Sequence, residues 1–196
     1  MLNEIKALAK MGRTQEVSEF AVQLGRLLRA SYSYKGPYTT IGEDIELIKS
    51  YLELQKIRYE GIFEYTINIV PEALPCRLPK LILQPIVENS ILHGLAGGAG
   101  IISINCCLIG NNVRIEISDN GAGVNEDIVS RVNNCQSSDN TIYNGLGLLN
   151  VQRRIQIEYG EPYGMHIESK MRNTDIDQGY SRIIITIPFN IEKEEV

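Results

Sequence analysis

Asp119 is the first residue whose setting suggests chemistry. It closes the alternating stretch "VRIEIS" (113–118) and is followed by Asn120, Gly121, Ala122 and Gly123, so a carboxylate stands where the backbone is most open. Asn-Gly between two alternating runs would be a type I′ hairpin and would make Asp119 a turn residue. The segment that follows, "VNEDIVSRVNN" (124–134), does not alternate. It offers Asn125 as a helix cap, Glu126 and Asp127 in a first turn, and Val124, Ile128 and Val132 at helical spacing. A carboxylate that ends a strand and enters a flexible loop is well suited to accept hydrogen bonds from a ligand.

Two further stretches carry candidate chemistry. In "YNGLGLLNVQRRIQIEYG" (143–160), Gly145 and Gly147 stand directly before a helix, where free amides point outward and no side chain blocks a close approach. Phosphate suits that geometry, but a loop glycine plus a cap explains the same residues, because this is neither a P-loop nor a Rossmann fingerprint. "LPKLILQPIVENSILHG" (78–94) is an apolar helix carrying Glu88, Asn89 and His93, with Pro85 inside it. Asn89 and His93 fall at i, i+4 on one face, where a buried amide needs partners. Either they are a satisfied core amide and a structural histidine, or the amide oxygen ligates Mg²⁺, a hard cation that takes few protein oxygens and fills its shell with water and phosphate.

The elements that must position these residues follow from periodicity. Leu2, Ile5, Leu8 and Ala9 form a short helical stripe ending at Gly12, and Thr14 caps a second helix with Val17, Phe20, Ala21, Leu24, Leu27 and Leu28 on one face. This hairpin is too thin to bury both stripes, so a second copy of it is the expected partner. "YKGPY" (34–38) follows as a linker. Thr40 and Glu43 make a capping box for a helix through about Tyr59, with Ile41, Ile45, Ile48 and Leu52 inward. The period then changes to two. Segments 63–70, 101–108, 113–118, 164–170 and 182–189 are expected strands, Gly110-Asn111-Asn112 turns between the second and third, and helices fall at 79–94, about 125–134 and 147–158. That order predicts a two-layer α/β sandwich, a mixed sheet with its helices on one face.

Composition narrows the function classes. With 196 residues, 43% hydrophobic and 22% charged, the chain can bury one substantial core. A net charge of -5 supplies no basic footprint, which argues against a nucleic-acid partner. Cys76, Cys106, Cys107 and Cys135 lack C-x-x-C spacing and are expected to be reduced core thiols, with Cys106 and Cys107 on opposite faces of a strand. Apolar runs such as "LILQPIV" fall far short of the roughly 18 residues of a membrane span.

Taken jointly, an Asn-bearing helix, Asp-x-Gly-x-Gly after a strand and Gly-x-Gly before a helix resemble the N, G1 and G2 boxes of the GHKL (Bergerat) ATP-binding fold. Sensor histidine kinases, Hsp90-type chaperones, type II topoisomerases and mismatch-repair ATPases share that fold. "LNEIKALAKMG", "LGRLLRASYS", "EDIELIKSYLELQKIRYEG", "LPKLILQPIVENSILHG", "ISDNGAGV" and "GLGLLNVQRRIQIEYG" look throughout like one branch, the bacterial sensor histidine kinases whose phosphoacceptor box reads His-Pro-x-Phe-Leu-Phe-Asn. The resemblance covers residues 2–189. It implies that Asp119 accepts the adenine amine, that Gly121 and Gly123 let the base approach the backbone, and that Asn89 holds Mg²⁺ against the phosphates. His93 belongs to the same box, Gly145 and Gly147 with the amides of Leu146 and Leu148 cradle phosphate, Ser181 supplies a hydroxyl beside Asp119, and residues 124–144 form the ATP lid. The implied division is a dimerisation hairpin at 1–36 and a catalytic domain at 37–196.

The same resemblance implies ATP and Mg²⁺ as cofactors, a response regulator receiver domain as partner, a homodimer through the hairpin, and a cytoplasmic domain of a protein anchored in the bacterial inner membrane. Its phosphoacceptor histidine would lie just before "LNEI", so the chain is expected to be a piece of a longer kinase, with Glu88 as a possible catalytic residue. The sequence departs from the family pattern in three places, one of them a dipeptide. Leu92 replaces a lysine, leaving Arg153 or Arg154 to supply the charge; Tyr180-Ser181 replaces Gly-Thr; and Pro85 stands where ATP-hydrolysing relatives carry a water-activating Glu. The alternatives are a GHKL ATPase, which Pro85 opposes, and a binding or dimerisation module with a degenerate nucleotide site, which Leu92 and Tyr180 favour.

Overall fold

The structure, a computed structural model, describes residues 2–33, 36–95, 98–134, 146–172 and 179–191. Helices α1 (Leu2–Lys10) and α2 (Thr14–Ser33) form the expected hairpin, turning at Gly12. Part of its apolar stripe is covered within the chain. Leu8 and Phe20 pack with Leu54 of α3 (Ile41–Arg58), flanked by Ile5, Val17 and Ile57, whereas Val22 and Leu28 stay about half exposed. Arg13 ties the same junction together, donating to Glu16 and to Glu60 just past the end of α3.

Helix α3 starts as its capping box dictates: the Glu43 N–H donates to Thr40 Oγ1 at 3.2 Å and the Thr40 N–H donates to the Glu43 carboxylate at 2.8 Å. Ile41, Ile45, Ile48 and Leu52 are buried on its inner face. Tyr38, expected in a linker, instead opens the three-residue strand β1 (Tyr38–Thr40), which pairs antiparallel with a later strand of equal length, Arg77–Pro79. Strands this short carry no readable alternation.

The main sheet comprises β2 (Phe63–Ile69), β4 (Gly100–Ile109), β5 (Asn112–Asp119), β6 (Gly164–Lys170) and β7 (Tyr180–Pro188); β3 is the Arg77–Pro79 strand of the small ribbon. Its order is β2-β4-β5-β7-β6, with β2 parallel to β4 and the other neighbours antiparallel. One face meets α3, α4 (Gln84–Asn89), α5 (Glu126–Asn133) and α6 (Leu146–Tyr159); Ile102, Ile104, Ile115, Ile117, Ile183, Ile185 and Ile167 bury there. The other face is open and polar, with Thr66 bonded to Ser103, Asn68 to Asn105, and Arg182 to Glu116. This is the anticipated two-layer α/β sandwich with its helices on one face. Cys106 is buried and Cys107 is exposed on the open face, as strand alternation requires, so Cys107 is not the core thiol expected of it. Cys135 lies outside the described residues.

One expected helix takes a different form. Residues 79–94 are not a single helix. A bend with Leu81 at φ 58° leads into α4, where Pro85 sits in the first turn, and π-helical turns run on from Ser90 to Leu95. Proline is tolerated at the start of a helix, where its missing N–H has no partner to lose, so Pro85 begins the helix rather than interrupting it.

Candidate functional site

Strand parity places the two polar groups at the centre of the site. On β5, Val113, Ile115 and Ile117 are buried toward the helices, and Asp119 is the next residue of that series. On β7, Ile187, Ile185 and Ile183 run in the same way to Ser181, and the register pairs Asp119 with Ser181. Asp119 is only 4% exposed. Its Oδ2 accepts from the Ser181 hydroxyl at 2.5 Å and its Oδ1 from the Gly121 N–H at 3.1 Å. Parity also turns Tyr180 to the open face, beside Ile101 and Arg182.

The loop after Asp119 is gripped from both sides. Ala122 N–H donates to Gly94 C=O of the π-helical turn at 2.7 Å, and on the other side Arg172 N–H donates to Ala122 C=O at 2.9 Å. A Cβ at Gly121 would lie 2.0 Å from Gly94 O, and one at Gly123, whose φ is 81°, would lie 2.3 Å from Lys170 O. Both glycines are thus required by the approach of protein backbone, a nearer cause than the approach of a base. A Cβ at Gly94 would meet Asp119 Oδ1 at 2.6 Å, so the π-helical turn packs directly on the carboxylate. Wide turns of this kind are frequent at functional sites.

A cleft of about 390 Å³ opens in front of Asp119. Asp119 and Ser181 line it, Ile128, Leu148, Met171 and Ile183 give it apolar walls, and Asn89, His93 and Arg131 line it too. Asn89, half-buried at the end of α4, faces the first turn of α6: a Cβ on Gly147 would stand 3.9 Å from its Nδ2. Among the described residues none hydrogen-bonds the Asn89 carboxamide, which is therefore available to a ligand. Leu146 opens α6, and Gly145 lies outside the described residues. The lid expected at 124–144 is described as far as Asn134 and includes α5; the remainder lies outside.

Other candidates fall elsewhere. Glu88 accepts from Gln84 Nε2 at 2.8 Å and does not line the cleft. Leu92 is 46% exposed and likewise does not line it. Arg154 is committed to backbone, donating to Lys80 O and Leu81 O, and Arg153 is exposed away from the cleft. Arg131, which sequence reasoning missed, is the arginine on the cleft wall among the described residues. Its signal was a cation one turn after Ile128 on the predicted lid helix.

Comparison with known proteins fits this geometry. The family model for histidine kinases matches residues 1–63, and the model described as "Histidine kinase-, DNA gyrase B-, and HSP90-like ATPase" matches residues 77–191. The chain belongs to that ATPase family, within its histidine kinases. It carries the ATP-binding catalytic domain of a histidine kinase. Sensor histidine kinase YesM of Bacillus subtilis (strain 168) is 34% identical over 189 residues, which is 95% of this chain and 30% of YesM. Sensor histidine kinase YpdA of Escherichia coli (strain K12) is 34% identical over 156 residues, 78% of this chain and 26% of YpdA. The chain thus spans less than a third of these relatives. Among solved structures, the catalytic domain of histidine kinase ThkA superposes with a TM-score of 0.55 at 18% identity, covering 80% of this chain and 97% of that domain. ThkA in complex with response regulator protein TrrA gives 0.57 at 20% identity over 92% of this chain and 50% of that one, so the likeness is of fold. Among the described residues no helix is long and apolar enough to cross a membrane.

Proposed function

We propose that the cleft binds Mg-ATP and that the γ-phosphoryl group is transferred from it to a histidine of a sensor kinase. The observation that carries this reading is the buried Asp119–Ser181 pair on the wall of a largely apolar cleft that Asn89 and Leu148, in the first turn of α6, also line. Asp119 accepts the exocyclic amine of adenine, and the Ser181 hydroxyl keeps the carboxylate oriented. Ile128, Leu148, Met171 and Ile183 enclose the base. Leu146, Gly147 and Leu148 present amides to the phosphates at the helix N-terminus, and Gly145 and His93 are assigned to the same phosphate contact. A carboxamide without a protein partner fits a cation that needs few protein ligands, so Asn89 would hold Mg²⁺, which supplies charge neutralisation on the phosphates. In the transfer an imidazole nitrogen bonds to the γ-phosphorus as the bond to the β–γ bridging oxygen breaks, and ADP leaves with that electron pair.

In the whole protein we assign residues 1–36 to a dimerising hairpin and 37–196 to the catalytic domain. The partner is the receiver domain of a response regulator, and the setting is the cytoplasmic side of an anchored sensor. The alternative of a degenerate nucleotide site loses its motive here, because Tyr180 and Leu92 both lie outside the cleft.

The test is a calorimetric titration with ATP, ADP and GTP, with and without Mg²⁺. Guanine presents a carbonyl oxygen where adenine presents an amine, setting two acceptors against each other at Asp119; GTP should therefore bind at least about 2 kcal/mol more weakly than ATP. Equal affinities would overturn the adenine assignment.

A further inference from the structure

Strand β6 is an edge of the five-stranded sheet, and an edge leaves alternate backbone N–H and C=O groups without ladder partners. Side chains from two helices occupy this one. The Met165 N–H donates to Oε1 of Gln152 on α6. Two residues on, the Ile167 N–H donates to Asn133 Oδ1 at 2.8 Å while Asn133 Nδ2 donates back to the Ile167 C=O at 2.9 Å. A carboxamide offers one acceptor and a donor side by side, so Asn133 completes the ladder as a residue of a further strand would.

Asn133 is the last residue of α5. Just before that helix begins, the Val124 N–H donates to Ser169 Oγ of β6 at 2.7 Å. The helix is therefore fastened to one strand at both ends. Val132 is buried beneath it, and Ile128 and Arg131 lie on the cleft wall. Apolar packing alone is non-directional and lets a short helix slide or turn about its axis. Two antiparallel hydrogen bonds to a single residue fix both.

Resting on the reading that the cleft holds ATP, we propose that Asn133 is a positioning residue for nucleotide binding: its paired bonds to Ile167 hold α5 in the register that presents Ile128 and Arg131 to the nucleotide. Asn133 does not itself line the cleft. Its effect passes through the helix.

The experiment compares ATP affinity in wild type, Asn133→Ala, Asn133→Asp and Gln152→Ala, at a temperature where circular dichroism shows each to be folded. Asn133→Ala deletes both bonds, and Asn133→Asp sets a carboxylate against the Ile167 carbonyl. Both should bind ATP roughly tenfold more weakly, as expected when a supporting group outside the site is lost. Gln152→Ala removes the neighbouring edge bond to Met165 and leaves the paired Asn133–Ile167 bonds in place, so it should lower the melting temperature and leave affinity within about twofold of wild type. Unchanged affinity in the Asn133 variants, or an equal loss in Gln152→Ala, overturns the proposal. If neither Asn133 variant folds, hydrogen exchange on the wild type decides: the Ile167 amide should be protected, and exchange at the rate of an unpaired loop amide overturns the clamp. A wild-type chain that takes up no ATP instead overturns the reading beneath it, and the two failures are thereby told apart.

Discussion

A buried carboxylate is costly unless its oxygens are satisfied, and at Asp119 each oxygen has one partner, a backbone N–H for Oδ1 and a hydroxyl for Oδ2. Acceptor capacity is left over, because an ionised carboxylate takes about four hydrogen bonds, and it is this remainder that a purine amine would use. Asp119→Ala should abolish ATP binding and keep the far-ultraviolet circular dichroism, with a stability loss of about 1–3 kcal/mol from the Ser181 hydroxyl left without its acceptor. Outright unfolding would return Asp119 to the role of a turn residue. Asn89 differs, since no described residue depends on its amide. Asn89→Ala should cost little stability and remove the enhancement of ATP affinity by Mg²⁺; a variant that keeps the full enhancement would move the metal elsewhere. Asp119 was legible in sequence because its place in a two-residue period is a local property. The packing need for Gly121 and Gly123 was not, because Gly94 and Lys170 are brought against them only by the tertiary fold.

The five strands of the main sheet and helices α3, α5 and α6 were legible because each is long enough for its period to repeat. What escaped was short or irregular: the β1–β3 ribbon, and the division of 79–94 into a bend, a helix opened by Pro85 and π-helical turns. Local pattern carries no signal for a turn whose extra residue is fixed by contact with Asp119. The same junction holds Asp44, in the first turn of α3, with Oδ2 unpartnered and the carboxyl pushed up to about 6 by burial, against the opposing pull of the Leu83 backbone N–H and the Arg154 charge. A native value above the ordinary 3.8 means that the folded chain binds the proton more tightly. The stabilisation is complete below the unfolded value and is lost as pH rises through about 6. Stability should therefore climb as pH falls from 7.5 toward about 4.5, by about 2 kcal/mol from this group. Asp44→Asn keeps the acceptor for Leu83 and removes the charge. It should be about 1–2 kcal/mol more stable than wild type at pH 8, with a flatter profile in urea melts across that range. An unchanged profile would show that water reaches Asp44.

At the scale of the molecule the question is which imidazole the bound nucleotide could reach. The chain holds two histidines, His93 and His166. His93 stands on the cleft wall four residues after Asn89, on a continuous helical run, so the backbone that would fix the nucleotide also fixes the imidazole. In-line attack needs the nitrogen opposite the leaving oxygen, at roughly 3–3.5 Å from phosphorus, and a wall of the nucleotide's own site does not offer that approach. His166 lies on β6 in a separate depression lined by Gln152 and Tyr163. Neither can serve as acceptor, and α1 and α2, held on α3 through Leu8, Phe20 and Leu54, carry no histidine. The 196-residue chain should therefore bind Mg-ATP yet give no acid-labile, base-stable label from γ-labelled ATP. Pro85, which has no carboxylate to activate water, predicts little hydrolysis as well. Joining a helical segment with the His-Pro-x-Phe-Leu-Phe-Asn box in front of Leu2 should make the label appear, and Asp119→Ala in that longer chain should abolish it. Stable phosphohistidine on the 196 residues alone would require His93 or His166 to leave the place it holds in the fold, and His93→Gln and His166→Gln variants would identify which one moves.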